Sequence, residues 1–332
     1  MSNARLSSSE LGALWGTYMQ QTMSLCLIKY FQVHLQDEDI KVILEKFFNT
    51  TSAQISEMKG IFQAEKISLP NGFTDNDINL LAPPLFYDPF VLSFIYSANK
   101  MQMINLGFVT AGVARKDMID FFTKASHEAL TLHNESKMLM LEKGLYDRPP
   151  MIPYPEEVHY IEKENYLSHF IGEKRPLNVI EISEIHYNIE RNYFALVLCY
   201  GLLQIIKDKK VKSYINKGKE LSEKQIKFFN DLLLKEDLMG VIHTNMEVTD
   251  STVSPFSDKL IVSLFHSLNS IDITLIGHAL SLSMRTDLTT HYSALIAGIL
   301  SYGKDGFDLM VERQWLEKPP GAPDRKGLAN KE

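Results

Sequence analysis

The sequence predicts an all-α protein made of two tandem four-helix bundles related by internal duplication. Three observations support this fold class: long segments repeat at a nearly constant offset, apolar residues recur at intervals of three and four, and strand-like alternation is scarce. The segment most similar to a strand, 248–253, is too short and too polar to found a sheet.

The duplication is clearest between residues 87–150 and 257–320, which align without a gap at an offset of 170. Of the 64 aligned positions 13 are identical, where average composition gives about four by chance. Two short upstream matches stand at offsets of 174 and 175: Ser9-Glu10 with Ser183-Glu184, and Thr74-Asp75 with Thr249-Asp250. The drop from 175 to 170 predicts five extra residues before Phe86 in the first copy.

Each copy is expected to contain four helices. In the first helix, apolar residues recur at helical spacing from Leu11 to Cys26, and Asp37 is placed to cap the second helix. The segment 66–86 contains prolines at three positions, so it cannot be one helix. The predicted helices span about 8–35, 38–64, 88–114, 117–144, 180–208, 210–237, 257–285 and 287–316.

The connections between the helices select the topology. Short loops join the first helix to the second and the third to the fourth, whereas a crossover of about 20 residues separates the second from the third. One long central crossover is the ferritin-like arrangement, and a cytokine-type bundle needs two. The predicted domains are a ferritin-like bundle at 1–145, a Pro-rich connector at 146–178, and a second ferritin-like bundle at 179–332 with a Pro-rich tail.

The connector and the tail share a Pro-Pro-x-x-Pro pattern. It occurs at Pro149, Pro150 and Pro153, and again at Pro319, Pro320 and Pro323. A linker has to span a distance but a tail does not, so the similarity predicts that each segment packs against its own bundle. The alternative is a Pro-rich ligand for another protein.

Composition excludes several classes of protein. A net charge of −7 argues against a nucleic-acid binder, which needs a surplus of Lys and Arg to contact phosphates. The longest nearly apolar run, 193–206, is shorter than the roughly 20 residues that span a bilayer, and the N-terminus does not resemble a secretory signal. The chain has only two cysteines, which is typical of a reducing compartment, so it is expected in the cytoplasm. Neither nucleic acid nor a membrane is expected as a partner.

A ferritin-like bundle raises the question of a di-iron site, which needs a Glu from each of two helices and a Glu-x-x-His pair from each of the others. The third helix of the first copy has no acidic residue and no histidine between Pro89 and Lys116. The one Glu-x-x-His in the chain, Glu156 to His159, lies in the connector. The sequence therefore predicts neither a carboxylate di-iron site nor another cofactor.

Histidines in the second bundle leave one alternative open. His266 and His278 on its third helix and His291 on its fourth could line one metal-binding cavity, although histidines satisfied within a core are the commoner explanation. In the first bundle His127 and His133 are six residues apart on different faces of a helix and are interpreted as surface residues. No catalytic residue is predicted, because phosphate-binding loops, nucleophile elbows and dinucleotide fingerprints do not occur in the sequence.

Small residues recur along one arc of each third helix. The arcs hold Ser93, Ser97, Gly107 and Ala111 in the first copy, and Ser263, Ser267, Gly277 and Ser281 in the second. Small side chains let helices approach closely, so we expect the two third helices to contact each other between the halves.

Two further pairs of residues receive structural interpretations. In Arg115-x-Asp117, which recurs in the second copy, Asp117 is expected to cap the fourth helix while Arg115 faces the last carbonyls of the third. Cys26 and Cys199 lie on the first helix of each copy and fit buried apolar positions better than reactive thiolates.

Several segments resemble a family of uncharacterised bacterial proteins. They are SELGALWGTYMQQTMSLCLIKYF, GFTDNDINLLAPPLF, GLYDRPPMIPYPEEV, KRPLNVIEIS, VTDSTVSPFSDKL and PPGAPDRKGLA. The family occurs in endospore-forming Firmicutes, consists of two ferritin-like halves of unknown function, and is distantly similar to CotF-type spore-coat proteins. The resemblance covers nearly the whole chain and implies the fold but no catalytic residue. Where related sequences carry a His on the second helix, this chain has Gln54 and Gln225, which argues further against a metal site.

The leading functional interpretation is a non-enzymatic structural or interaction protein associated with sporulation or the spore coat, with protein partners in a coat-like assembly. One alternative is a metal-binding or redox protein with its site in the second bundle. The other is a binder of small apolar ligands, since 14 Met and 18 Phe could line a cavity between helices. The sequence leaves the ligand, the partner and the oligomeric state open.

Overall fold

The computed structural model describes residues 4–161, 166, 174–241 and 248–329. In these residues the chain is helical and forms two similar halves with four long helices each, which confirms the predicted fold class of tandem all-α bundles. The helices are α1 (Ser8–His34), α2 (Glu38–Ala64), α3 (Asp88–Gly112), α4 (Lys116–Glu142), α5 (Val179–Ile205), α6 (Lys209–Lys235), α7 (Asp258–Leu282), α8 (Thr286–Glu312) and the short α9 (Arg325–Ala329).

Local sequence explains where the helices begin. Ser7 caps α1 in a capping box with Glu10, and Asn178 caps α5 in the same way with Glu181. The predicted cap Asp37 is confirmed, because its carboxylate accepts two backbone N–H bonds at the start of α2. Each cap provides an acceptor for N–H groups that have no partner within the helix.

The predicted cap of α4 is wrong. The residue before the helix is Arg115, which makes no side-chain capping bond, and α4 begins at Lys116. The carboxylate of Asp117 instead accepts bonds from Nε and Nη2 of Arg115, each at 2.8 Å. The two parallel bonds engage both oxygens of this carboxylate in a bidentate, charge-assisted pair. The backbone N–H groups of Ala114 and Arg115 are satisfied from α1, where the Glu10 carboxylate accepts both.

Each half has its own apolar core, and a third core joins the halves. This shared core contains Phe31 and Phe90 from the first half together with Phe194 and Phe265 from the second. The main helix contacts between the halves pair α1 with α7 and α3 with α5. Because both halves bury apolar surface in one cluster, each stabilises the other.

The two crossovers pair with each other. Two isolated antiparallel bridges join them: Ile78 with Phe256, and Phe86 with Val248. The Asn79 N–H group donates to the carbonyl of Pro255 at 2.8 Å, and the Thr249 N–H group donates to the carbonyl of Leu85 at 3.0 Å. When each residue is replaced by its counterpart 170 positions away in the other half, the first bridge becomes the second, and the first hydrogen bond becomes the second. The halves therefore pack as an isologous pair about a pseudo-two-fold axis.

The same contacts correct the upstream register of the repeat. Glu10 accepts N–H bonds from the α3–α4 turn, and Glu181 accepts the equivalent bonds from the α7–α8 turn, so the first helices are offset by 171 and not 174. Thr249 is the counterpart of Asn79 and not of Thr74. The predicted insertion of five residues is wrong: α2 and α6 are also 171 apart, which leaves a difference of one residue in the crossovers. Matches of two residues are too short to define an alignment.

The segments that follow α4 and α8 each contact the opposite half, which the prediction that they pack on their own bundle did not include. The first of them also packs on its own half, where the ring of Tyr146 meets that of Tyr96 with centroids 5.8 Å apart. The carbonyl of Asp147 lies 3.2 Å from Nε2 of His186 on α5. The Glu317 carboxylate accepts the backbone N–H groups of Asn71 and Gly72, at 2.9 and 2.8 Å, in the first crossover. Beyond these contacts, residues 151–161 and 318–326 are exposed.

The small-residue arcs do not bring the third helices together at their glycines. A methyl group added at Gly107 or Gly277 would meet no atom within 4 Å. The expectation of a close contact is therefore wrong at these positions, because α3 and α7 turn them toward open space. Ser97 and Ser267, from the same arcs, line a cavity between the halves.

By length and composition, α7 is the one helix among the described residues that could cross a membrane. It packs against α8 and α5 of its own half and against α1 of the other half. These are the neighbours of a core helix in a bundle.

Candidate functional site between the two halves

A cavity of about 80 Å³, called here the central cavity, lies where the two halves meet. Its wall comes from α1, α3, α5, α7 and the ends of both crossovers. Six phenylalanines line it: Phe31, Phe86, Phe90, Phe94, Phe194 and Phe256. Its polar side chains are uncharged and half-buried: Gln20, Ser24, Ser97, Gln102, Asn105 and Ser267. Both halves are needed to form this site.

Two smaller cavities of about 30 Å³ each adjoin the central cavity. The side cavity lies between α3 and α5 and is lined by Lys100 and Glu190. The inner cavity lies within the second bundle. Met101 and Phe194 line all three cavities, and Arg191 lines both smaller ones. The partition between the cavities therefore consists of side chains, one of them a flexible methionine.

A buried ion pair crosses the interface between the two halves, called here the seam, beside the side cavity. Lys100 Nζ on α3 lies 2.8 Å from the Glu190 carboxylate on α5, and the side chains are only 13% and 15% exposed. The same ammonium group lies 3.7 Å from the ring centroid of Tyr187. Burial alone raises the pKa of Glu190, but its ion pair and hydrogen bond with Lys100 outweigh burial and hold that pKa below its usual value. Burial lowers the pKa of Lys100, and Glu190 offsets only part of that fall. The pair links α3 of the first half to α5 of the second.

Arg191 on α5 is less completely paired. Its Nε lies 3.1 Å from Asp272 Oδ1 on α7, which is an ion contact without hydrogen-bond alignment. None of its three guanidinium nitrogens has a hydrogen-bond partner among the described residues, although the residue is only 8% exposed. Burial raises the pKa of Asp272, and Arg191 offsets only part of that rise.

The first half has no such charges at the equivalent positions. The offsets of 171 for the first helices and 170 for the third helices make Gln20 the counterpart of Arg191 and Gln102 the counterpart of Asp272. The charges of Arg191 and Asp272 therefore break the pseudo-symmetry of the halves, and they lie in the smaller cavities and not in the wall of the central cavity.

Amides occupy the interior of the first bundle. Gln102 donates to Gln21 at 3.1 Å, Gln21 donates to Gln54, and Gln54 donates to the Glu128 carboxylate at 2.7 Å. This row of hydrogen-bonded side chains takes one residue from each of the four helices. A di-iron site would also draw on all four helices, but with carboxylates and histidines. In the described part of the chain, no group of three or more His, Cys, Asp or Glu side chains is placed to hold a metal ion.

The three candidate histidines of the second bundle lie in separate surroundings. His266 is half-buried on α7, where burial lowers its pKa. His278, 12 residues farther along the same helix and therefore about 18 Å away, is exposed and lies 3.8 Å from Glu184. His291 stacks on Phe228 with ring centroids 3.3 Å apart, and burial lowers its pKa to about 4. The structure does not bring them to one site.

In the first bundle the surface interpretation of His133 is wrong. Its ring is 4% exposed and stacks on Tyr96, and burial lowers its pKa to about 4. His127 is exposed. The expected burial of Cys26 and Cys199 is confirmed, and it raises the pKa of each thiol to about 12.

Fold and seam together define a class of duplicated helical-bundle proteins in which the two copies share one interface. A family model described as a protein of unknown function, DUF3231, matches residues 1–158 and again residues 166–328. The chain belongs to this family and contains its domain twice, which confirms the resemblance found in the sequence.

Two other comparisons add less. No curated protein matches the chain. Among solved structures the chain is similar to a candidate spore coat protein from Bacillus halodurans C-125, with 19% sequence identity and a TM-score of 0.40. That match covers 46% of this chain and 98% of the other. No enzyme family is indicated.

Proposed function

We propose that this is a non-enzymatic binding protein whose two bundles hold a small apolar ligand in the central cavity. The observation that carries the proposal is the position of the cavity at the shared interface, with phenylalanines from both halves in its wall. Small-molecule sites favour interfaces between domains and combine apolar walls with a few polar groups. The half-buried Ser and Gln side chains around this cavity supply such groups.

The lining of the cavity supports the same function. Most of the residues around it are apolar, six of them phenylalanines. An apolar ligand in this space would gain dispersion contacts with these side chains and would bury apolar surface.

Titration with 1-octanol by isothermal calorimetry tests the proposal. We expect saturable binding of one molecule per chain. Ser267→Phe places a ring in the central cavity and should abolish binding, whereas Ser270→Phe, on the exposed side of α7 one turn away, should not. Absence of octanol binding, or equal binding by both variants, would contradict the proposal.

We also propose, as a second candidate function, an interaction role associated with sporulation or the spore coat. It is supported by the family resemblance found in the sequence. Immunoblotting of purified spores from the source organism tests this role, and absence from spores at every stage would exclude it.

A further inference from the structure

We propose that the ligand is a small carboxylic acid whose carboxylate binds Arg191 while its apolar body occupies the central cavity. This inference rests on the proposed binding function and names the chemical class of the ligand. It draws on the position of one arginine, the charges around it and the connection between the cavities.

Arg191 has the geometry of an incomplete anion site. More than nine-tenths of the residue is buried, it lines both smaller cavities, and its Nε, Nη1 and Nη2 atoms have no hydrogen-bond partner in the described residues. A buried guanidinium with unsatisfied donors is unfavourable unless an acceptor reaches it. A carboxylate is the acceptor that matches a planar guanidinium, because it takes two parallel N–H bonds.

The neighbouring charges leave room for such an anion. Glu190 is engaged by Lys100 at 2.8 Å, so it does not neutralise Arg191. Asp272 approaches Nε of Arg191 at 3.1 Å but makes no hydrogen bond with the guanidinium group, and burial raises the pKa of this carboxyl group. The two terminal nitrogens of the guanidinium group therefore remain available to a bidentate ligand.

The apolar body of the acid follows from the cavities. Met101 and Phe194 line the central, side and inner cavities, so a rotamer change of Met101 connects the phenylalanine-lined space to Arg191. The central cavity of about 80 Å³ is smaller than the engineered cavity of about 150 Å³ that binds benzene, and the adjoining cavities add to it. Together the three cavities approach that volume, so the space suits a short acid of about six to eight carbons and not a long-chain lipid.

The site is expected once per chain. The counterpart of Arg191 in the first half is Gln20, and the counterpart of Asp272 is Gln102, so the pseudo-two-fold axis does not generate a second anion site. Binding should therefore have a stoichiometry of one.

Calorimetric titration with octanoate and, separately, with 1-octanol tests the inference. We expect octanoate to bind about tenfold more tightly than octanol or better, because hydrogen bonds to a buried charge exceed those to a neutral group. Arg191→Met should remove this preference while octanol binding persists, which also shows that the variant is folded. Asp272→Asn should strengthen octanoate binding, because it removes the carboxylate that competes for the guanidinium. Arg5→Met, on an exposed residue, controls for net charge.

The outcomes separate the inference from the proposed function. Equal binding of octanol and octanoate, or octanoate binding unchanged by Arg191→Met, would overturn the carboxylate inference and leave the binding function intact. Failure of both compounds to bind would overturn the binding function and the inference with it. Opposite effects of Arg191→Met and Asp272→Asn on octanoate affinity would support the assignment, since general damage to the fold would weaken binding in both variants.

Discussion

Replacement of Lys100 by methionine tests how the seam is stabilised. The variant leaves the Glu190 carboxylate buried opposite an apolar side chain, without the ammonium group that lay 2.8 Å away. Loss of one partner of a buried ion pair costs about 3–5 kcal/mol, because the remaining charge is desolvated and uncompensated. We expect the free energy of unfolding to fall by this amount in urea titrations followed by circular dichroism at 222 nm.

Two companion variants show whether burial is the cause. In Lys100→Met with Glu190→Leu, both charges are removed and stability should return to within about 1 kcal/mol of the parent, because apolar residues of similar volume replace the pair. Lys46→Met breaks an inter-helix pair with Glu135 whose side chains are 46% and 41% exposed, and it should cost at most about 1 kcal/mol. If Lys100→Met costs no more than Lys46→Met, the seam pair is not a buried charge pair and the reasoning fails.

Three further predictions concern single groups. Backbone N–H bonds lower the pKa of Glu10 to about 2, so its contribution to stability is present above about pH 4.5 and is lost as the pH falls toward 2. In urea unfolding, Glu10→Gln should be less stable than the parent at pH 7 and less sensitive to acid. An unchanged acid profile would contradict this. Burial lowers the pKa of His133 to about 4, so as the pH falls the unfolded chain binds this proton at a higher pH than the folded chain does. Stability should therefore fall between about pH 6.5 and 4. His133→Gln should flatten that part of a plot of melting temperature against pH. Cys26 and Cys199 should react with a thiol reagent only after unfolding, and rapid labelling of the native protein would refute their burial.

Much of the fold was predictable because it depends on local pattern. Helical spacing of apolar residues located the eight long helices to within a few residues, and the gap-free second part of the repeat identified the duplication. The cap at Asp37 followed from its side chain alone. The register of the first helices was not predictable, because a chance pair at Ser183-Glu184 outweighed the equivalent Glu10 and Glu181, whose shared role appears only through bonds to distant turns.

For the candidate site, the sequence predicted only its kind, an apolar cavity between helices, and not its position or its charged residues. The abundance of Met and Phe raised the idea of an apolar cavity, but its wall combines helices and crossovers from both halves. Lys100 and Glu190 are 90 residues apart, and no short motif links them. Arg191 was missed for the same reason, because its burial depends on packing between α5 and α7. The correspondence of Arg191 with Gln20 becomes visible only once the bonds of Glu10 and Glu181 have fixed the register of the first helices.

A crystal structure with 8-bromooctanoate would test the central claim most directly, since anomalous scattering locates the bromine independently of the protein. We predict one bromine peak per chain inside the central cavity, among the phenylalanines of both halves, with the carboxylate on the Arg191 guanidinium. A bromine peak on the outer surface, or a fully soaked crystal without a peak between the halves, would contradict the account.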